Sequence, residues 1–324
     1  MTLAFDHIAP ASRPFIPASW NFDSAEKLVA LDEARPQNRY ENLDMKLETG
    51  TRTLWAFMKP QARPSFTTDL LRDMRSMQDY IKSACTPGDG KTKPFDHFVF
   101  GSHIPGIYNL GGDLRHFAER IRERDRDSMR HYAHSCAEII YRNAHSFDVP
   151  VITIALVQGD ALGGGFECAL SYDVIVAERS AKLGLPEILF NLFPGMGAYS
   201  FLSRRIGPAN AEKMILSGRV YTAEDLHKMG VVDVLAEDGE GEAAVAQYIK
   251  QTSPKHNARQ ALYQTRRRVN PVTREELFDV VDIWVEAALR LTEKDLRLMG
   301  RLASAQDRRI AGIGQESPSC MAAE

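Results

Sequence analysis

Val149–Val157 constrains this chain more than any other stretch. It is apolar on both faces, with only Pro150 and Thr153 interrupting the aliphatic run, and it leads through Gln158-Gly159 to Gly163-Gly164-Gly165 and a short helical segment, Phe166–Ser171. A strand with no polar face must be covered on two sides. Val174–Ala177 reads as the next strand. Strands alternating with helices give β-α-β units joined by right-handed crossovers, an α/β fold.

The flanking sequence supports that reading. Leu54–Met58 and Phe98–Phe100 are short apolar strands. Between them Leu70, Leu71, Met74, Met77, Tyr80 and Ile81 recur at helical spacing, which predicts a helix over Thr67–Lys82 capped by Thr67 or Thr68. Asp113–Asn143 has the same periodicity and reads as one long helix. Helices are expected at Ala198–Ile206, Pro208–Ser217 and Ala223–Met229, a strand at Val231–Leu235, and helices from Ala243 to about Arg309. Pro87–Pro94 is turn-rich, and the tail from Gly312 reads as frayed. Four prolines break residues 1–50 into a loose arm with one short helix near Ser24–Glu33. The expected division is an arm over 1–50, a core over 51–240 and a helical region over 241–324.

Composition narrows the function. The net charge is −3, which argues against a generally basic nucleic-acid binder. Four cysteines, Cys85, Cys136, Cys168 and Cys320, lie far apart with no spacing suited to zinc, and read as reduced thiols. No run of 18 apolar residues predicts a membrane span, and the first residues lack the pattern of a secretory signal. The cytoplasm is the expected compartment.

The strand–glycine–helix junction is a natural place for a negative oxygen, because glycines admit close approach and a helix start offers free N–H groups. It is neither a dinucleotide fingerprint nor a phosphate-binding loop of the Gly-Lys-Ser/Thr kind. A developing oxyanion fits it as well as a phosphate does. Two carboxylates flank it. Glu167 follows the glycines directly, and Glu187 lies among apolar residues in Gly184-Leu185-Pro186-Glu187-Ile188. A carboxylate so placed can have a raised pKa and serve as acid or base; each alone also reads as an ordinary helix-start or surface glutamate.

Three segments together carry a resemblance. They are Asn109-Leu110-Gly111-Gly112-Asp113-Leu114, Gln158–Glu167, and Gly184–Glu187 followed by Phe193-Pro194-Gly195-Met196-Gly197. In order, spacing and the twenty-residue step between the glutamates, residues 50–310 resemble the crotonase (enoyl-CoA hydratase/isomerase) superfamily. Within it the chain looks most like the diffusible signal factor synthases, on Asn109–Leu114, Ala155–Glu167, Leu192–Phe201 and Ile283-Trp284-Val285-Glu286. It departs from housekeeping hydratases at Leu110–Asp113, where they show Ala-Gly-Ala-Asp, and at Met196–Phe201; its arm is also longer.

The resemblance implies a crotonase-like ββα spiral with a helical C-terminal region, assembling as a trimer or hexamer. It implies that the amides of Leu110 and Gly164 hold a thioester oxygen, that Glu167 and Glu187 are the catalytic acid and base, and that Gly111, Gly163, Met196, Trp284 and Leu298 contact substrate. It implies no cofactor and no metal. The implied reaction dehydrates a 3-hydroxyacyl group on acyl carrier protein to a cis-2-enoyl thioester and hydrolyses it to a free medium-chain acid, with a sensor protein as a further partner. The arginine-dense stretch Arg115–Arg130 and Arg266-Arg267-Arg268 are candidates for docking the acidic carrier, though solvated ion pairs also account for them. The competing expectations are a conventional hydratase or isomerase of fatty-acid degradation and a non-catalytic regulatory binding protein.

Overall fold

The computed structural model describes residues 40–86 and 92–313. The expected helix at Ser24–Glu33, Cys320 and most of the tail lie outside these, as does part of the 87–94 turn.

In chain order the elements begin with β1 (Leu43–Glu48), β2 (Thr53–Met58), α1 (Thr68–Cys85), β3 (His97–Ser102) and β4 (Ile107–Asn109). Next come α2 (Leu114–Glu123), α3 (Arg126–Ala144), β5 (Ile152–Val157), β6 (Asp160–Leu162), α4 (Gly164–Leu170), β7 (Val174–Glu178) and β8 (Lys182–Gly184). A 3-10 turn, Pro186–Phe190, precedes α5 (Ala198–Ile206), α6 (Pro208–Ser217), β9 (Val220–Thr222), α7 (Ala223–Lys228) and β10 (Val234–Ala236). The chain closes with α8 (Gly241–Thr252), α9 (His256–Val269), α10 (Arg274–Ala288) and α11 (Glu293–Ile313).

Two sheets organise these elements. One has six strands in the order β1-β2-β3-β5-β7-β10, parallel except for the β1–β2 hairpin. The other has four, β4-β6-β8-β9, antiparallel only between β8 and β9. Each successive turn of chain places one strand in each sheet and then a helix or helical turn, which is the expected ββα spiral. The register explains why β5 reads as apolar throughout. Ile154 and Leu156 pack under α8 with Trp55, Phe57, Val99 and Val245. Ala155 and Val157 face the main core with Phe98, Phe100, Phe166 and Tyr172.

Three sequence expectations change. Leu43–Glu48, expected within the arm, pairs with β2 as an edge strand; its alternating polar residues face solvent, which hides the strand from an apolar-run search. The long helix over Asp113–Asn143 is two helices. Arg124 adopts a left-handed conformation (φ 56°) at the end of α2, and Asp125 caps α3 by accepting the Ser128 amide at 3.1 Å. The expected strand Val231–Leu235 is shifted, and only Val234–Ala236 pairs with β7. Of the two candidate caps of α1, Thr67 is the one used.

Among the described residues no helix is long and apolar enough to cross a membrane. No group of three or more His, Cys, Asp or Glu side chains there is arranged to hold a metal ion.

Candidate active site

The second sheet ends at a cavity of about 320 Å³. Its walls come from the β4–α2 loop, α4, the 3-10 turn, and helices α2, α3, α10 and α11. Leu110, Gly163, Gly164, Glu167, Glu187, Met196 and Trp284 all line it.

Glu167 sits in the first turn of α4 and is 1% exposed. Its Oε1 accepts the Met196 amide at 2.7 Å and the Ala198 amide at 2.9 Å. Met196 of the Phe193–Gly197 loop and Ala198, the first residue of α5, therefore hold this carboxyl by their backbone amides. Burial pushes its pKa above the usual carboxylate range, and the charge of Glu187 adds to the rise, while the two amides oppose it. Glu187 is carried by the 3-10 turn and rests on Gly163. That glycine has φ 53°, and a Cβ there would stand 2.5 Å from Glu187 Oε1, so only glycine leaves room for the carboxyl. Glu187 Oε2 is fully enclosed and has no hydrogen-bond partner. Burial raises its pKa as well. The two glutamates thus share one electrostatic environment, a buried, mainly apolar cavity in which both cannot easily be charged.

The backbone donors need one correction. Gly164 is the first residue of α4, where an amide has no intrahelical partner. The Leu110 amide, by contrast, is committed to the Pro64 carbonyl at 2.7 Å. Leu110 meets the cavity, but its N–H is engaged elsewhere. Gly112 also lines the cavity. It forms a parallel bridge with Phe66, whose N–H goes to the Gly111 carbonyl at 2.9 Å. In such a bridge the facing residue turns its own N–H away from the partner strand. Gly112 therefore replaces Leu110 as the loop's available donor. Gly111 itself lies behind the cavity wall. With φ 90° and a would-be Cβ 2.9 Å from the Gly164 nitrogen, it lets the loop press against the start of α4.

Met196 packs its sulfur against Gly164, and Trp284 covers Gly195 and meets Phe117 edge to face at 5.0 Å. Leu298 is not a wall residue. It is half-buried against the main core, while Leu302, Ala305, Gln306 and Arg309, one to three turns further along α11, reach the cavity. The last helix does fold over the site, but its contact begins a turn later than expected. Gln306 gave no signal in sequence; its Nε2 donates to the Leu110 carbonyl at 3.2 Å. Arg309 pairs with Asp160 and donates to the Gly106 carbonyl, tying α11 to the β4 and β6 ends.

Several arginines of the two clusters are ion-paired, most of them in half-exposed pairs. Arg126 and Arg130 of α3 pair with Glu286 and Asp282 of α10, and Arg115 of α2 with Asp307 of α11. Arg266 and Arg267 both pair with the buried Asp173. These charges fasten helices to one another and to the core, while Arg124 and Arg268 of the same stretches are exposed.

Residues 93–307 match the enoyl-CoA hydratase/isomerase family model. The chain belongs to that family. It is 29% identical over 229 residues to the mouse mitochondrial methylglutaconyl-CoA hydratase (Mus musculus), covering 70% of this chain and 68% of the relative. Among solved structures it is similar to Pseudomonas aeruginosa DspI, with TM-score 0.58 and 23% identity over 72% of this chain and 91% of the other. It is also similar to an enoyl-CoA hydratase from Bacillus halodurans, with TM-score 0.67 and 20% identity over 80% of this chain and all of the other. The crotonase-like fold with a helical C-terminal region is thus established, and the activity is of the crotonase hydratase/isomerase kind.

Proposed function

We propose that the chain is a diffusible signal factor synthase. It dehydrates a 3-hydroxyacyl group on acyl carrier protein to the cis-2-enoyl thioester and hydrolyses that ester to the free acid. The observation that carries the chemistry is the enclosed, unpartnered oxygen of Glu187 in the same apolar cavity as Glu167. A buried acceptor left without a partner is costly unless a substrate or water completes it.

In the dehydration one carboxylate takes the C2 proton and the other carboxyl protonates the C3 hydroxyl, which leaves as water. The pair must start with one proton between them, the state that shared burial favours. As the C2 proton departs, the thioester oxygen gains charge, and the amides of Gly164 and Gly112 are the donors placed to meet it. Removing one such donor typically costs about 3 kcal/mol of transition-state stabilisation. In the hydrolysis a glutamate-activated water adds to C1, the same amides hold the tetrahedral oxyanion, and the carrier thiol leaves protonated.

The synthase reading, as opposed to a degradative hydratase, is supported by the wording of Asn109–Leu114 and Leu192–Phe201. Retention of both glutamates in a formed cavity supports an enzyme over a purely regulatory binding protein. The assembly proposed with it is a trimer or hexamer. Incubation of the purified protein with 3-hydroxyacyl carrier protein tests the reading. Release of a cis-2-enoic acid is expected. Reversible hydration of trans-2-enoyl-CoA with no free acid would transfer the chain to the degradative class.

A further inference from the structure

The residues lining the cavity range from exposed to fully buried. Leu189, Val220, Ala305 and Arg309 of the lining are exposed and form the rim. Cys136 and Val281 are 1% exposed, Ala133 6% and Trp284 7%. These four belong to the seam between α3 and α10, an enclosed part of the lining. Ala133 and Cys136 stand one turn apart on the same face of α3 and are its smallest contributions to the wall.

The buried end offers no charged group, and its polar atoms are few, the Trp284 indole N–H and the Cys136 thiol among them. The Tyr132 hydroxyl is spent on the Phe66 carbonyl. Burial holds the Cys136 thiol neutral, its pKa pushed up to about 12. Among the lining residues the one cation is Arg309, at the rim and paired with Asp160.

Resting on the synthase or hydratase reading of the site, we propose that the α3–α10 seam is the acyl-end pocket, that it takes an uncharged alkyl terminus, and that Ala133 and Cys136 set the chain length accepted. A larger side chain at either position takes volume from the enclosed end of the pocket. An acyl chain ending in a carboxylate would have to bury that charge with no cation to meet it.

The test compares Ala133→Leu and Cys136→Phe with the wild type on straight-chain acyl thioesters of graded length and on one ω-carboxyacyl thioester. Two readouts are taken, turnover and quenching of Trp284 fluorescence on binding, the latter in a background carrying Trp20→Phe and Trp55→Phe. Both variants should lower the ratio of long- to short-chain kcat/KM by roughly tenfold or more. The binding series should shift in the same direction, and the ω-carboxy thioester should bind at least about tenfold more weakly than its methyl-ended counterpart. A uniform loss at all lengths in folded variants, or tight ω-carboxyacyl binding, overturns the proposal. If the wild type turns over no thioester but its binding still depends on length and on Ala133, the reaction assignment fails and the pocket assignment stands.

Discussion

At the scale of single residues the site is defined by two carboxyls in unequal surroundings. Glu167 has two amide donors, and Glu187 Oε2 has none. Replacing either by glutamine keeps the shape and removes the proton chemistry, so Glu167→Gln and Glu187→Gln should each lower kcat by about 10²–10⁴-fold with the fold retained. Because both pKa values are raised, the bell in kcat/KM should be displaced above the range of ordinary carboxylates; a profile already falling near pH 5 would contradict the shared-proton state. The same burial has a cost in stability. The unfolded glutamate releases its proton near 4.5 and the folded one only at higher pH. Stability is therefore lost as pH rises between those values. Glu187→Gln should raise Tm relative to wild type at pH 8, with the gain shrinking toward pH 4 in thermal melts. The glutamates were legible in sequence because glycine and proline punctuation isolates them. The donor was not, because whether Leu110 or Gly112 faces the cavity depends on a carbonyl contributed by Pro64.

At the scale of elements the C-terminal helices are held down by charge as much as by packing. Asp173 is buried at the start of β7 and accepts from Arg266, Arg267, the Thr153 amide and the Ser146 hydroxyl. It joins α9 to β5 and to the end of α3. Removing one partner of a buried charged network strands the others, so Asp173→Ala should cost about 3–5 kcal/mol in urea unfolding. Asp282→Asn, which breaks the solvent-facing pair with Arg130, should cost only a small fraction of that. Equal losses in the two variants would reject this ranking. Long amphipathic helices such as α1 and the strand β5 were readable from periodicity. The short strands β4, β6, β8 and β9, of three residues each, were not, since they exist only through their pairing. The break between α2 and α3 was likewise concealed by an unbroken apolar stripe.

For the whole molecule, acid should act from a different place than base. His97 is buried at the start of β3 with its ring edge-on to His256 at 5.1 Å, and its Nδ1 and both nitrogens of His256 have no hydrogen-bond partner. Burial, and then the neighbouring His256, depress the His97 pKa to about 3. The unfolded imidazole takes a proton near 6.5 and the folded one does not, so stability is full above that value and is lost as pH falls toward 3. His97→Phe should flatten that acid slope in urea titrations between pH 6.5 and 4. The glutamate pair weakens the fold as pH rises from 4.5, so the two effects oppose each other between 4.5 and 6.5 and the stability maximum should lie on the acid side of neutrality. One earlier feature reaches beyond this chain. A side chain at Gly111 would collide with the start of α4, and one at Gly164 with the Met196 sulfur, whereas the alkyl end is walled by ordinary helix surfaces. Drift in this lineage should then accumulate on the helical side, yielding relatives that prefer different acids while running one unaltered reaction.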